Sequence, residues 1–390
     1  MSIIAKIEVL RFSYFGLRAR ERAYRLRAYK TYPPDAVARK RYKDCSHKKP
    51  ASQIRKEVSL CWKYWKCYPF HYFRYSMYHR ESLISEEEMI DYIPDFFFYG
   101  IYLPVCQCNS LAAVFSNKVL VDAYFRGLGI RQADTVGKIC SGRLYNSSME
   151  DMDFKELHGE LSSSRCQKVF VKPCSGEGGH GIDVFTRDGN TGEYRNKRRP
   201  LDADYVQHIA ALDNYVVQMG VVQARELEQF APRSTNTCRI VTSSVGGPVR
   251  IIGGLFRTGV GEMEVDNADS GGIYAPLDVE NGRLSERGRN VRGELFVEHP
   301  GSKVVFKGFQ IPRWPEIRDF AICCARKVPQ MGLVGWDVAL SADGPVLIEA
   351  NNGFGLVAMQ TLYGGLRQRL GIGNPDLFWR SGGKPRPIGA

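Results

Sequence analysis

Two stretches carry residues whose types and spacing can do chemistry. In VGWDVALSADGPVLIEANN, residues 334–352, Asp337 lies in one apolar run and Glu349 and Asn351 lie in the next. The turn Ala342-Asp343-Gly344 folds the second run back on the first, so Asp337 comes opposite Glu349. Glu349 and Asn351, two residues apart in a strand, share a face. Two carboxylates and an amide oxygen gathered in this way suit magnesium, which keeps water and substrate phosphates as its other ligands. Without a cation between them, like charges so close would repel. Trp336, Val338, Leu347 and Ile348 mark the hairpin as buried, which argues against a charged pair on an open surface.

The other stretch is VFVKPCSGEGGHGIDV, residues 169–184. An apolar strand delivers Lys172, the glycines Gly176, Gly178, Gly179 and Gly181 follow, and a second apolar strand opens at Ile182. So many glycines are costly to order unless the backbone takes positive φ angles or comes very close to something. A flap over a polyphosphate uses that property: its N–H groups point at phosphate oxygens and the lysine supplies a point charge. A P-loop would read GxxxxGK[ST] and a dinucleotide fold GxGxxG opening a helix; here the lysine precedes the glycines and a strand follows them. Taken alone, a plain glycine-rich hairpin with an exposed lysine fits equally well.

Two arginines lie between these stretches. STNTCRIVT (234–242) places polar residues ahead of a strand carrying Arg239, and GGPVRIIGGLFRTG (246–259) carries Arg257 on the next. A guanidinium is almost never fully buried unpaired, so two on successive strands point to an anion held between a sheet and a loop. The loop that follows, GEMEVDNADSGGIYAPLD, sets Asp266, Asn267 and Ser270 around Gly271 and Gly272.

The elements that must position these groups are legible in outline. SNKVLVDAYFRGLGI (116–130) reads as an amphipathic helix with Lys118 near its start, Leu120, Tyr124 and Leu128 on one face, and Gly127 and Gly129 ending it. Asn214 to Val222 is a short β-branched strand ending in Gln218, Met219 and Gly220; such a strand between two lobes can offer backbone groups to an adenine ring, and an ordinary buried strand would look the same. Ile317 to Val328 reads as a helix.

At 390 residues and 44% apolar composition the chain is long enough for two or three domains. No run approaches a membrane span, and the arginines at 11, 18, 20 and 22 break the N-terminal apolar pattern, so a signal peptide is not expected and a cytoplasmic protein is. The 11 scattered cysteines lack zinc spacing and read as reduced thiols. The net charge of +12 is uneven: residues 1–80 hold 20 Lys/Arg against 5 Asp/Glu, a surplus of +15, which leaves −3 for the rest. Basicity therefore belongs to the N-terminal region and not to the chemistry-bearing part, which speaks against a nucleic-acid partner. The aromatic and basic run WKYWKCYPFHYFRY (62–75) fits an anionic membrane or glycan surface, or a helical cap whose rings pack on the main body.

With Lys172, the glycine flap, Arg239, the DNADSGG loop and the D…ExN hairpin in this order, the chain resembles the ATP-grasp superfamily over roughly 90–365, and within it the sugar-transfer-associated branch found among polysaccharide-biosynthesis enzymes. The resemblance implies an α+β fold in which two lobes clamp ATP, with a basic helical extension at 1–85. It divides the rest into a small α/β unit at 86–165, a flap subdomain at 166–220 and a C-terminal lobe at 221–390 bearing the metal and acceptor site. It implies that Lys118 and Lys172, with Gly176, Gly178 and Gly179, contact the nucleotide phosphates, that Gln218 and Met219 meet the adenine, and that Glu226 or Glu228 binds the ribose. Asp337, Glu349 and Asn351 would hold two magnesium ions, Arg239 and Arg257 would neutralise the transferred phosphoryl group, and Asp266, Asn267, Ser270, Gly271 and His299 would shape the acceptor side. His180 and His299 fit structural or substrate contacts better than proton transfer.

The implied reaction is ATP-dependent carboxylate–amine ligation through an acyl phosphate, on a sugar acid or an amino compound joined to it, in capsule or exopolysaccharide formation. Such chemistry needs positioning and charge neutralisation rather than a Ser-His-Asp or Cys-His arrangement, and the sequence offers neither arrangement. A kinase on the same scaffold, or a nucleotide-binding scaffold protein docked on a membrane-bound glycan assembly through residues 1–85, are the alternatives.

Overall fold

The structure, a computed structural model, describes residues 33–164, 166–176, 181–264, 266 and 271–380, together with Ala19. Two antiparallel sheets organise it. The first contains β1 (Thr135–Cys140), β2 (Arg143–Tyr145), β3 (Lys168–Pro173), β4 (Asp183–Arg187), β5 (Tyr194–Arg195) and β6 (Tyr215–Met219), in the order β2-β1-β6-β3-β4-β5. The second contains β7 (Thr237–Ser243), β8 (Arg250–Thr258), β9 (Ile273–Leu277), β10 (Gly288–Arg289), β11 (Leu295–Phe296), β12 (Leu333–Ser341) and β13 (Gly344–Asn351), in the order β11-β10-β9-β8-β7-β12-β13.

Strand alternation decides what each face of the first sheet meets. On β3, Val169 and Val171 are fully buried against the helices Phe154–Ser163 and Ala203–Ala210, through Leu157, Leu161, Tyr205 and Ile209. Phe170 and Lys172, one residue out of phase, therefore face the other way, toward the second sheet. β12 is buried along its whole length, because its sheet is covered on both sides. The helix Trp314–Lys327 packs Ile317, Ala321 and Cys324 on one face, and the helix Leu356–Tyr363 packs Leu356 and Met359 on the other.

The N-terminal region completes that second layer. Trp65 and Cys67, from the aromatic and basic run, join Phe97 and Phe98 against Val241, Leu255 and Leu333 with none of their surface exposed. Tyr72 is equally buried in a neighbouring cluster, where its hydroxyl donates to Glu57, which also takes Lys49 at 3.0 Å. The run is thus largely a structural cap: its deepest rings are core.

Residues 86–165, expected as one small unit, are distributed over the molecule. Ile93 to Leu103 pack on the second sheet, the helix Lys118–Gly127 packs near Trp336, and β1 and β2 pair into the same sheet as β3. Within the helix Lys118–Gly127 the inward face is Asp122 and Phe125; Leu120, expected inside, is half exposed, while Tyr124 and Leu128 pack partly buried. Among the described residues no helix is long and apolar enough to cross a membrane. All 11 cysteines are free thiols.

Candidate active site

A cavity of about 370 Å³ lies between the two sheets. Its lining combines the apolar Phe115, Phe125, Phe170, Met219 and Leu347 with Lys118, Lys172, Arg257, Asp266, Asp337, Glu349 and Asn351. Its volume and its mix of apolar surface with a few convergent charges suit a small ligand.

Lys118 opens its helix behind the N-cap Asn117, whose side chain accepts from Val119 and Leu120 N–H. Its backbone N–H donates to Cys174 O at 3.0 Å and its Nζ to Gly176 O at 3.2 Å, which ties the helix start to the strand leading into the glycine stretch. Gly176 sits at φ +133°, with open space where a Cβ would be, so conformation and not crowding calls for glycine there. Gly178, Gly179 and His180 lie outside the described residues.

Lys172 points from β3 into the cavity and donates to Gln218 Oε1 at 2.9 Å, and Gln218 Nε2 in turn donates to Thr135 Oγ1 at 3.0 Å. The expected ring-contact residue Gln218 therefore spends its side chain on holding the lysine; Met219 stays on the apolar wall. Burial pushes the Lys172 ammonium down to about 8; Glu349 and Asp266 oppose the shift and Lys118 adds to it.

Register builds the charged end. Asp337 on β12 pairs with Arg239 on β7 and with Glu349 on β13, so one row across three strands reads Arg239, Asp337, Glu349. Arg257 stands opposite Thr237, and Asn351 opposite Gly335. Arg239 grips Asp337 with two N–H groups, both at 2.6 Å, and Arg257 adds a third at 2.7 Å. Arg257 also reaches Asp266 at 3.1 Å, and Thr237 donates its hydroxyl to the same carboxylate. Burial alone would raise the Asp337 pKa, but the Arg239 and Arg257 charges and their hydrogen bonds outweigh it and hold the carboxyl below its ordinary range.

Asp337, Glu349 and Asn351 lie together on the cavity wall: Glu349 stands opposite Asp337 across the hairpin, and Asn351 hydrogen-bonds to it. Asp337 is 2% exposed and both its oxygens are committed to guanidinium groups. Glu349 faces the cavity exposed, and Asn351 donates its amide N–H to Asp337 at 3.3 Å. One carboxylate and one amide oxygen suffice for an ion that also rides on substrate phosphates.

Other expected residues lie elsewhere. Glu226 is exposed on the short helix Arg225–Glu228, and neither it nor Glu228 lines the cavity. His299 is 2% exposed, joined to Gly259 O at 2.8 Å through Nε2 and packed near the rings of Phe230 and Phe306; burial lowers its pKa, and it is not among the residues lining the cavity. Gly271 takes φ +106° and is not on the wall either. Asn267 and Ser270 lie outside the described residues.

Two features went unread in the sequence. Asp122, on the cavity wall, forms a buried ion pair with Lys138 of β1 at 2.9 Å; a lone aspartate on the inner face of an apolar helix was its signal. Glu264, also on the wall, ion-pairs with Lys168 of β3 and with Arg233 at 3.3 Å, linking the two sheets across the cavity; nothing local distinguished it from the other acids of its loop.

The family described as sugar-transfer associated ATP-grasp matches residues 102–372. No curated protein matches the chain. Among solved structures it is similar to N5-carboxyaminoimidazole ribonucleotide synthetase in its ADP complex, at 11% identity and a TM-score of 0.37 over 63% of this chain and 47% of that one. It is also similar to D-alanine–D-alanine ligase from Bacillus anthracis, at 11% identity and TM-score 0.38 over 69% of each chain. A third is D-cycloserine synthetase, at 11% identity and TM-score 0.40 over 68% and 70%. The match spans about half the length of the first of these structures.

Proposed function

Since the chain belongs to the sugar-transfer-associated ATP-grasp family, we propose that it is an ATP-dependent ligase that joins a small-molecule carboxylate to an amine. A carboxylate oxygen attacks the γ-phosphorus of ATP, the bond to the β-phosphate bridging oxygen breaks, and ADP leaves an acyl phosphate. The amine nitrogen then attacks the acyl carbon, orthophosphate departs and the amide remains. The observation that carries this reading is the cavity between the sheets, which brings apolar side chains together with Lys118, Lys172 and Arg257.

In this reading Phe170 and Met219 flank the adenine. Lys118 and Lys172 take the phosphates, and Arg239 and Arg257 meet the phosphoryl group in transfer. Magnesium would rest on Glu349 and Asn351, and it supplies charge neutralisation between the phosphates. Lys118, Lys172 and Arg257 on the wall would put positive charge where a phosphate binds. The family description supports a sugar acid, or an amino compound joined to one, in capsule or exopolysaccharide formation, carried out in the cytoplasm. The exposed cations of the N-terminal cap, Lys40, Arg41 and Lys63 among them, would make any contact with a membrane or glycan assembly.

The test is a screen of uronic acids against amines for nucleotide turnover. The expected result is ADP and orthophosphate together, and only when both a carboxylate and an amine are present. ADP with a phosphorylated product and no orthophosphate would replace ligation by a kinase reaction.

A further inference from the structure

The proposed reaction makes no use of the contact between Lys168 and Glu264. Lys168 opens β3 and, by the alternation of that strand, shares the face of Phe170 and Lys172 that looks toward the second sheet. Gly220, where the chain leaves β6, lies close against it: the Gly220 N–H donates to Lys168 O at 2.7 Å, and a Cβ there would stand 3.0 Å from the Lys168 Cβ. The Lys168 ammonium reaches across to the segment after β8, where it donates to the Glu264 carboxylate and to Arg233 O. Arg233 meets the second oxygen of Glu264 at 3.3 Å and also pairs with Glu262. The outer pair of Arg233 and Glu262 is open to water and contributes little. Lys168 and Glu264 each keep only 24% of their side-chain surface exposed, so water and salt screen their contact less.

Glu264 stands between two fixed points of its segment. At the start, Gly259 N–H donates to Ser234 Oγ at 3.2 Å and Gly259 O meets His299 Nε2 at 2.8 Å. A turn follows, in which Met263 N–H donates to Val260 O at 3.2 Å. Two residues past Glu264, Asp266 takes Arg257 at 3.1 Å and the Thr237 hydroxyl. Glu264, Asp266 and Arg257 all line the cavity, and Lys168 is not among the lining residues. A run of contacts therefore leads from β3 through Glu264 to Asp266 and on to the guanidinium of Arg257, with Lys168 as its tie to the first sheet.

We propose that Lys168 and Glu264 are positioning residues: their clasp holds the segment carrying Asp266 against the first sheet and so sets Arg257 where a phosphoryl group meets it. The inference rests on the nucleotide reading above. It makes the Arg257 side of the cavity depend on how the two sheets stand to one another.

The full chain is compared with Lys168→Met in three measurements: hydrogen exchange at the amides of residues 260–264 without nucleotide, ADP affinity with Mg²⁺ by calorimetry, and orthophosphate affinity of the ADP complex. Exchange at 260–264 should be faster by about threefold or more, because the segment loses a tie that opposes local opening. ADP affinity should stay within about threefold of wild type, since Lys168 is off the cavity wall, while orthophosphate affinity falls by about fivefold or more, the range of a coupling between separate sites. Lys168→Arg, which keeps a cation in reach of Glu264, should bring orthophosphate affinity back to within about threefold of wild type. Should Lys168→Met fail to fold, Glu264→Gln is measured for exchange and for orthophosphate with the same expectations. Orthophosphate affinity unchanged, ADP and orthophosphate weakened by the same factor in Lys168→Met, or no recovery in Lys168→Arg overturns the proposal while wild type still binds ADP. A wild type that binds no ADP removes the nucleotide reading itself, and this inference with it.

Discussion

Lys172 gives the sharpest prediction, because burial holds its ammonium near the range of an ordinary buffer. With a pKa pushed down to about 8, the free protein carries that charge on roughly 90% of molecules at pH 7 and about 3% at pH 9.5. A phosphate that needs the charge must first restore it, so ADP affinity should fall by up to one decade per pH unit above 8. The fall ends when the full contribution is lost, about 1.5–3 kcal/mol for a charge-assisted hydrogen bond, or roughly 10- to 150-fold. The assay is equilibrium binding of a fluorescent ADP analogue from pH 7 to 9.5, where the terminal phosphate, with a second pKa near 6, no longer titrates. Wild type should lose at least about tenfold in affinity, and Lys172→Met should bind weakly throughout with no slope. The unliganded protein should respond oppositely. The folded pKa lies below the unfolded one, so between about pH 8 and 10.5 the unfolded chain binds more protons and this group's contribution to stability rises with pH. An ADP affinity independent of pH, or the same slope in Lys172→Met, would refute the reasoning.

The remaining predictions concern architecture and the revised site. Lys138→Met removes one of two cations on the buried Asp122, leaving Arg126 at 3.3 Å, and should cost about 1.5–3 kcal/mol in urea unfolding; a loss under about 0.5 kcal/mol would mean that the pair is not buried in solution. Gly332→Ala would put a Cβ 2.4 Å from the Cys106 carbonyl oxygen, a backbone atom that cannot rotate away, so a drop of about 1–3 kcal/mol is expected by the same measurement. Glu226→Ala should leave ADP affinity unchanged, since the residue is exposed and off the cavity wall, whereas a tenfold loss would return it to the site.

How much could be read in advance follows the range of the forces involved. The hairpin of β12 and β13 was legible because two apolar runs around a short turn determine a register locally, and Asp337 does pair with Glu349 as that register requires. Lys118, Lys172 and Gly176 were likewise legible, from a capped helix start and from a strand that ends in glycines. The side-chain partners were not. Nothing between Cys238 and Ile240 tells that Arg239 will close on a carboxylate 98 residues later, or that Arg257 will share it. Glu226 and Glu264 looked alike as acids in polar stretches; the fold turned one to solvent and set the other between Lys168 and Arg233. His299, which the resemblance placed on the acceptor side and which fitted a structural or substrate contact, packs near the aromatic rings of Phe230 and Phe306, contacts no local pattern announces.

The sequence by itself determined the strands, the glycine stretch, the order of the charged residues and the family they spell, because alternation, turn chemistry and glycine usage act within a few residues of one another. Only the tertiary structure decided which charges neutralise which. That choice depends on burial: in a low-dielectric interior a carboxylate takes the nearest donors the sheet presents, and for Asp337 those are two arginines from neighbouring strands. The same holds for the basic N-terminal region, where composition allowed either a surface or a cap, and the need of the second sheet to cover its outer face drew Trp65, Phe97 and Phe98 inward.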